Sequence, residues 1–159
     1  MLSTFDLTVN GRPFRVNVDE QATLLDVLRN ELGLRATRFG CGTEQCGACM
    51  VLIDAEPVFS CARLVSTLGG KNVTTVEGLA EDASLEALRD AFLAEQAGQC
   101  GFCLSGILVS AKALLDRNSA PSRAEIAAAL DYNLCRCGAH NRIIRAVGRA
   151  AARRAGASA

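Results

Sequence analysis

Residues 38–50, "RFGCGTEQCGACM", carry three cysteines and three glycines in a stretch too short to be a stable element of its own. Cys41, Cys46 and Cys49 are spaced C-x4-C-x2-C, and Cys61 follows after eleven more residues. The first three positions match the ligand run of plant-type [2Fe-2S] proteins, in which one loop wraps a flat two-iron cluster and supplies three thiolates from one side. A structural zinc site more often offers paired C-x2-C knuckles from two hairpins. A Rieske centre needs two histidines, and the chain has one, His140. Gly40, Gly42 and Gly47 fit a loop whose N–H groups must turn inward toward sulfur, a backbone shape that side chains oppose.

Working outward, a second set of cysteines lies far along the chain, in "QCGFC" at 99–103 and "NLCRCG" at 133–138. Cys100, Cys103, Cys135 and Cys137 form a C-x2-C and a C-x-C, each at the edge of a helical pattern. Two helix ends that meet would bring four thiols to one metal site, and helix N-termini favour the negative charge gathered there. Spacing alone leaves [2Fe-2S], [4Fe-4S] and zinc open for this second set.

Eight cysteines could instead be a disulfide framework, but that reading suits a small secreted domain without an adequate core. This chain has 159 residues, half of them apolar, enough to bury a core unaided. Lysine plus arginine and aspartate plus glutamate balance at 17 each, with only six Phe and one Tyr, so a broad nucleic-acid surface is not expected. The start, "MLSTFDLTVN", has neither a basic nor an apolar leader segment, and no run of 18 apolar residues occurs. Neither an export signal of its own nor membrane insertion is expected.

The flanking patterns give the architecture. Residues 4–18 alternate apolar and polar about Asn10-Gly11, a preferred hairpin turn. "TLLDVLRNELG" reads as an amphipathic helix from Thr23, with Asp26 as capping-box partner, to Gly33 as C-cap. "MVLID" and "NVTTV" read as further strands. Beyond about residue 77, "SLEALRDAFLAEQ", "SGILVSAKALLDR", "SRAEIAAALDYN" and "NRIIRAVGRAAARR" have helical spacing. Ser84 is an expected N-cap, Ser122 and Glu125 an expected capping box, and "AARRAGASA" an expected frayed tail. The boundary falls within 66–80, giving domains 1–77 and 78–159.

"FGCGTEQCGAC" through Cys61, then "QCGFC" and "NLCRCG", closely resembles the iron–sulfur subunits and domains of the xanthine oxidase family of molybdenum hydroxylases, from about residue 3 to 148. The resemblance implies an α+β chain: an N-terminal β-grasp ferredoxin-like domain followed by a C-terminal four-helix bundle. It implies two [2Fe-2S] clusters, one on Cys41, Cys46, Cys49 and Cys61, the other on Cys100, Cys103, Cys135 and Cys137. The helical-domain cluster would lie nearer a molybdopterin, expected as the cytosine dinucleotide, held by a large partner subunit. Gln99 matches a position where the family's glutamine contacts the pterin.

The function implied is one-electron relay from that partner to an external acceptor, a flavin subunit or a cytochrome, with no catalytic residue in this chain. "QCGFCLSG" where many members have "QCGFCTPG" looks more like the branch that oxidises N-heteroaromatic compounds; an aldehyde is the other expected substrate class. Arg38 and Arg136 are expected either to answer cluster charge or to be solvated. Phe39 and Phe102 are expected to shield the ligands or to join the core. His140 is expected as an exposed imidazole without a redox role. Tyr132 and the segment 139–141 depart from the usual pattern without removing a ligand. The alternative is a free two-cluster carrier, which would want a highly charged docking surface that a neutral chain does not offer. A cytoplasmic location is expected, with export only on a partner's signal.

Overall fold

In the computed structural model, which describes residues 1–80 and 82–157, the chain opens with strands β1 (Leu2–Val9) and β2 (Arg12–Asp19). They pair antiparallel about Asn10 and Gly11, both with positive φ (51° and 71°), the tight turn that Asn-Gly encodes. Asn10 does a second job: its Oδ1 accepts from the Thr75 N–H at 2.9 Å, tying the hairpin to the far end of the domain.

The expected helix forms, but not as a uniform α-helix. Thr23 Oγ1 accepts from the Asp26 N–H, and one α turn, α1 (Leu24–Asp26), widens into a π-helical stretch at Val27–Glu31, closed by Leu32 N–H to Val27 O at 3.0 Å. An apolar pattern does not distinguish i→i+4 from i→i+5 turns. Leu24, Val27 and Leu28 pack on the sheet, while Leu25 turns toward Cys49 and Cys61.

Strands β3 (Met50–Ile53), β4 (Glu56–Phe59) and β5 (Asn72–Thr74) complete a five-stranded sheet in the order β2-β1-β5-β3-β4, with β1 and β5 parallel. β4 is a strand that the sequence pattern does not announce. It contains Pro57 and is entered through Asp54-Ala55, both at positive φ without a glycine. Its place at the sheet edge is what makes the proline tolerable.

A short helix, α2 (Val76–Leu79), leads into the bundle of α3 (Ala83–Ala94), α4 (Leu104–Arg117), α5 (Arg123–Ala129) and α6 (His140–Ala157). Ser122 and Glu125 cap α5 reciprocally, as their spacing requires. Ser84 falls one residue inside α3, and its side chain lies outside the described parts. The expected frayed tail is instead helical through Ala157, because Ala150 and Ala151 are buried in the bundle and Arg153 pairs with Asp90 at 2.8 Å. Ser158 and Ala159 lie outside the described residues. None of the described helices is long and apolar enough to cross a membrane.

The sheet is the expected β-grasp ferredoxin-like layer, and the four longer helices are the expected bundle. One apolar core lies between the sheet and α1, around Val9, Val51, Val65 and Val73. A second fills the bundle and reaches the sheet's other face through Met50 and Leu52. β3 is therefore buried on both sides, and its N-terminal residue follows Cys49 directly. The strand anchors the cysteine loop to both cores at once.

Candidate metal centres

The loop from 38 to 49 is held at its base by Arg38 N–H to Ala48 O (3.1 Å) and Met50 N–H to Gly47 O (3.1 Å). Arg29 braces the approach to it, donating to the carbonyls of Arg35 and Thr37 at 2.8 and 2.7 Å. Within the loop the N–H groups of Thr43 and Gln45 reach Cys41 Sγ at 3.4 and 3.3 Å, and the Cys41 N–H reaches Cys46 Sγ at 3.3 Å. This is the inward-turned backbone that the glycines are there to permit. At Gly40 the reason is space: a Cβ there would stand 2.6 Å from Cys46 Sγ.

Burial pushes the Cys41 thiol up, but the N–H groups of Thr43 and Gln45, with the Thr43 hydroxyl and the Cys46 thiol, outweigh it and bring the pKa down to about 6. Cys49 and Cys61 lie beneath, buried against Leu25 and Phe59. Ser60 places them side by side, donating both N–H and Oγ–H to Cys49 O at 3.3 and 2.7 Å. Burial, with the Cys61 thiol alongside, pushes Cys49 up to about 11.

The second set is assembled from two helix starts. Cys103 is the N-cap residue of α4, and Cys135 and Cys137 lie in the turn that feeds α6. Cys137 Sγ stands 3.6 Å from Cys100 Sγ, and the thiols of Cys103 and Cys135 interact. Burial first, then the Cys135 thiol, pushes Cys103 up to about 12. Cys100 is held down by the Phe102 N–H and the Cys137 thiol. For Cys135 burial acts upward, but the N–H groups of Ala139, Cys137 and Gly138 and the Cys103 thiol bring it down. Buried Cys49 and half-buried Cys103, both pushed up, are the thiols whose protons a metal would have to displace.

No cysteine is in a disulfide, and the eight fall into four side-by-side pairs: 41 with 46, 49 with 61, 100 with 137, and 103 with 135. Among the described residues no three Cys, His, Asp or Glu side chains converge tightly enough to hold a single ion. Thiols in pairs are what a cluster of two irons with two thiolates each requires, so the donor sets fit [2Fe-2S].

The other expected site residues find specific places. Gln99 is exposed and donates through Nε2 to Cys137 O at 3.3 Å, linking "QCGFC" to "NLCRCG". His140 is exposed, yet its Nε2 accepts from the Cys135 N–H at 3.2 Å, so it holds the ligand turn. Arg38 lies over the Phe102 ring, 5.8 Å from its centroid, joining the two cysteine loops by a cation–π contact. Phe39 is not in the core: it is 62 % exposed, its edge turned toward Gly42, and it lines a cavity with Cys61. Phe102 is 45 % exposed, and Arg136 is exposed at the rim of a cavity of about 640 Å³ lined by Cys41 and Cys46 from one set and Cys100, Cys103 and Cys135 from the other. Tyr132 stacks edge-on against Phe59, 5.9 Å between centroids.

Sequence reasoning does not anticipate the contact between the two loops. Leu134 N–H donates to Cys46 O at 2.9 Å, and the buried Asn133 donates through Nδ2 to Gly47 O at 3.4 Å. The sole advance sign is the pair of glycines, Gly47 and Gly106, that the close approach demands.

Two family models match in tandem: a "2Fe-2S iron-sulfur cluster binding domain" over residues 7–68 and a "[2Fe-2S] binding domain" over 75–148. One subunit of the nicotinate dehydrogenase of Pseudomonas putida is 46% identical over 151 residues, covering 95% of this chain and 96% of that one. The alpha chain of isoquinoline 1-oxidoreductase from Brevundimonas diminuta is 46% identical over 147 residues, covering 92% and 96%. Among solved structures, a chain of quinoline 2-oxidoreductase from Pseudomonas putida 86 superposes with a TM-score of 0.88 at 40% identity, covering 98% of both chains.

Proposed function

This chain belongs to the iron–sulfur subunits of the xanthine oxidase family of molybdenum hydroxylases, and from that membership we propose its ligands, its direction of electron flow and its substrate class. It is an electron-transfer subunit carrying two [2Fe-2S] clusters and working with a large molybdopterin-binding subunit. Cys41, Cys46, Cys49 and Cys61 hold one cluster, and Cys100, Cys103, Cys135 and Cys137 hold the other. The observation that carries this assignment is the two-plus-two pairing of thiols in each set, which suits two irons with two thiolates each. The chain divides functionally at 77/78, one ligand set on each side.

When bound, each cluster supplies one-electron redox chemistry, which lets a two-electron oxidation in the partner be drained in steps. This chain's residues set the conditions. The N–H groups of Thr43 and Gln45 place positive dipoles against Cys41, and the starts of α4 and α6 do the same for the second set. Leu25, Phe59 and the β3 core keep water from Cys49 and Cys61. Gln99, tied to Cys137 O, stands where the family's glutamine meets the pterin, so the second set faces the molybdopterin, as the cytosine dinucleotide. Electrons leave toward the acceptor, a flavin subunit or cytochrome, past the first set, where Cys41 is exposed.

The substrate class is an N-heteroaromatic compound. Full-length relatives at 46% identity carry nicotinate and isoquinoline in their names, whereas the aldehyde oxidoreductase of Megalodesulfovibrio gigas is 40% identical and is matched over 16% of its length. The balanced net charge favours a lasting complex over a diffusing carrier. The complex is cytoplasmic. The test is to purify the chain with its partner, measure iron and sulfide, and assay reduction of an artificial acceptor by nicotinate, isoquinoline or an aldehyde. Zinc without sulfide contradicts the ligand assignment; turnover of aldehydes alone contradicts the substrate class.

A further inference from the structure

Where the two ligand loops touch, backbone meets backbone with no side chain between. A Cβ placed on Gly106 would stand 1.9 Å from Gly47 O and 2.9 Å from Gly47 C. A Cβ on Gly47, whose φ is +71°, would stand 2.4 Å from both Tyr132 O and Asn133 Nδ2. The backbone at Gly47 is thus gripped between the first turn of α4, which meets its carbonyl, and the segment 132–134, which meets its Cα side and the carbonyl of Cys46. Each jaw is next to a ligand: Gly106 is three residues after Cys103, and Leu134, which donates to Cys46 O, precedes Cys135.

Besides the buried packing of Met50 and Leu52 against the bundle, contacts between the halves include long surface side chains, Arg117 with Glu56 at 2.7 Å and Arg38 over Phe102, and these yield when pushed. A backbone-on-backbone contact in a packed interior does not. We propose that Gly47 and Gly106 are positioning residues, a rigid joint that sets the distance between the two cluster sites while neither supplies a ligand. The inference rests on the ligand assignment above. Asn133 supports the joint: it is 3 % exposed, and its Nδ2 is a side-chain donor aimed at the gripped peptide, at Gly47 O.

Gly106→Ala forces the gap at Gly47 O to grow from 1.9 Å to at least the 3.4 Å of ordinary contact. The experiment uses the purified complex, fully reduced with dithionite, and reads low-temperature EPR. Two unpaired spins at close range split each other's signals, and the splitting falls with the cube of their separation. Gly106→Ala is expected to keep both clusters, by iron and sulfide analysis, and to narrow or lose the splitting. Gly148→Ala, whose added Cβ meets nothing nearer than 3.7 Å, is expected to leave it unchanged.

If Gly106→Ala does not fold, Asn133→Ala is the second variant, expected to narrow the splitting by a smaller amount with both clusters present. An unchanged splitting in a two-cluster Gly106→Ala complex, or in Asn133→Ala should that be the variant that folds, overturns the joint. Fewer than two clusters in the unmodified complex overturns the ligand assignment instead.

Discussion

The two ligand sets reach the same two-plus-two arrangement by opposite routes. Cys41, Cys46 and Cys49 sit in one loop whose own backbone N–H groups supply the donors to sulfur, and the fourth ligand is brought back by the adjacent β3–β4 hairpin and by Ser60. Cys100 and Cys103 stand on one helix start, Cys135 and Cys137 before another, and the bundle core is what brings them together. The first site is encoded locally and the second by tertiary packing. Damage should therefore spread differently through the two halves.

The largest effect is expected from removing one ligand of each set. Cys103→Ser should eliminate the second cluster and leave the first, and Cys49→Ser the reverse, each cutting iron and sulfide by about half. EPR of the reduced protein checks which signal survives. Loss of both signals from either variant would mean that the sites do not form independently.

Next come truncations in the two cores. Ile126→Ala in the bundle and Leu28→Ala beneath the sheet, both almost fully buried, should each cost about 2–5 kcal/mol. On heating, Ile126→Ala should release the second cluster well before the first, because its helix starts must stay together. Leu28→Ala should release the first cluster closer to global unfolding. Visible circular dichroism against far-ultraviolet signal reads both. Equal early release in the two variants would erase the contrast between local and tertiary encoding.

Gly40→Ala tests the loop alone. Its Cβ would press on Cys46 Sγ from 2.6 Å, and overpacking of this kind costs about 1–3 kcal/mol. The first cluster's potential and occupancy should shift while the second's EPR signal stays in place.

This contrast also explains what could be read from the chain beforehand. The first site was legible because its spacing, its glycines and its ligands are contiguous, and the hairpin at Asn10-Gly11 and the cap at Ser122 and Glu125 were legible for the same reason. The second set could be seen as paired thiols, but its pairing of Cys100 with Cys137 depends on how helices pack, which spacing does not contain. β4 was hidden by Pro57 and by a turn without glycine; the π-helical stretch was hidden because Leu24, Val27 and Leu28 suit either helix. The contact of Gly47 with Gly106 joins residues far apart in sequence, and only the folded chain brings them together.

The smallest expected effect is electrostatic and confined to the bundle. Arg145 and Arg149 pair with Glu95, and Arg153 with Asp90, lacing α6 to α3 along the surface. The Arg153 and Arg89 guanidinium groups hold Asp90 below its ordinary value, and Arg145 leads in holding Glu95 below its own. Because both pKa values are depressed on folding, the support is complete above the ordinary carboxylate range and is lost as pH falls through the lowered folded-state values. These groups are exposed, so the effect should be slight and screened by salt. Hydrogen exchange along α6 should quicken at acid pH before that of β1 and β2; simultaneous quickening would remove this lacing from the account.

The central claim is that one short chain holds two separate [2Fe-2S] clusters on four cysteine pairs. Reductive titration of the purified complex, followed by EPR with iron and sulfide analysis, tests it directly. Two distinct one-electron signals, with iron and sulfide in equal amounts for two clusters per chain, are the predicted result. A single signal, or zinc in place of iron and sulfide in either set, would contradict it.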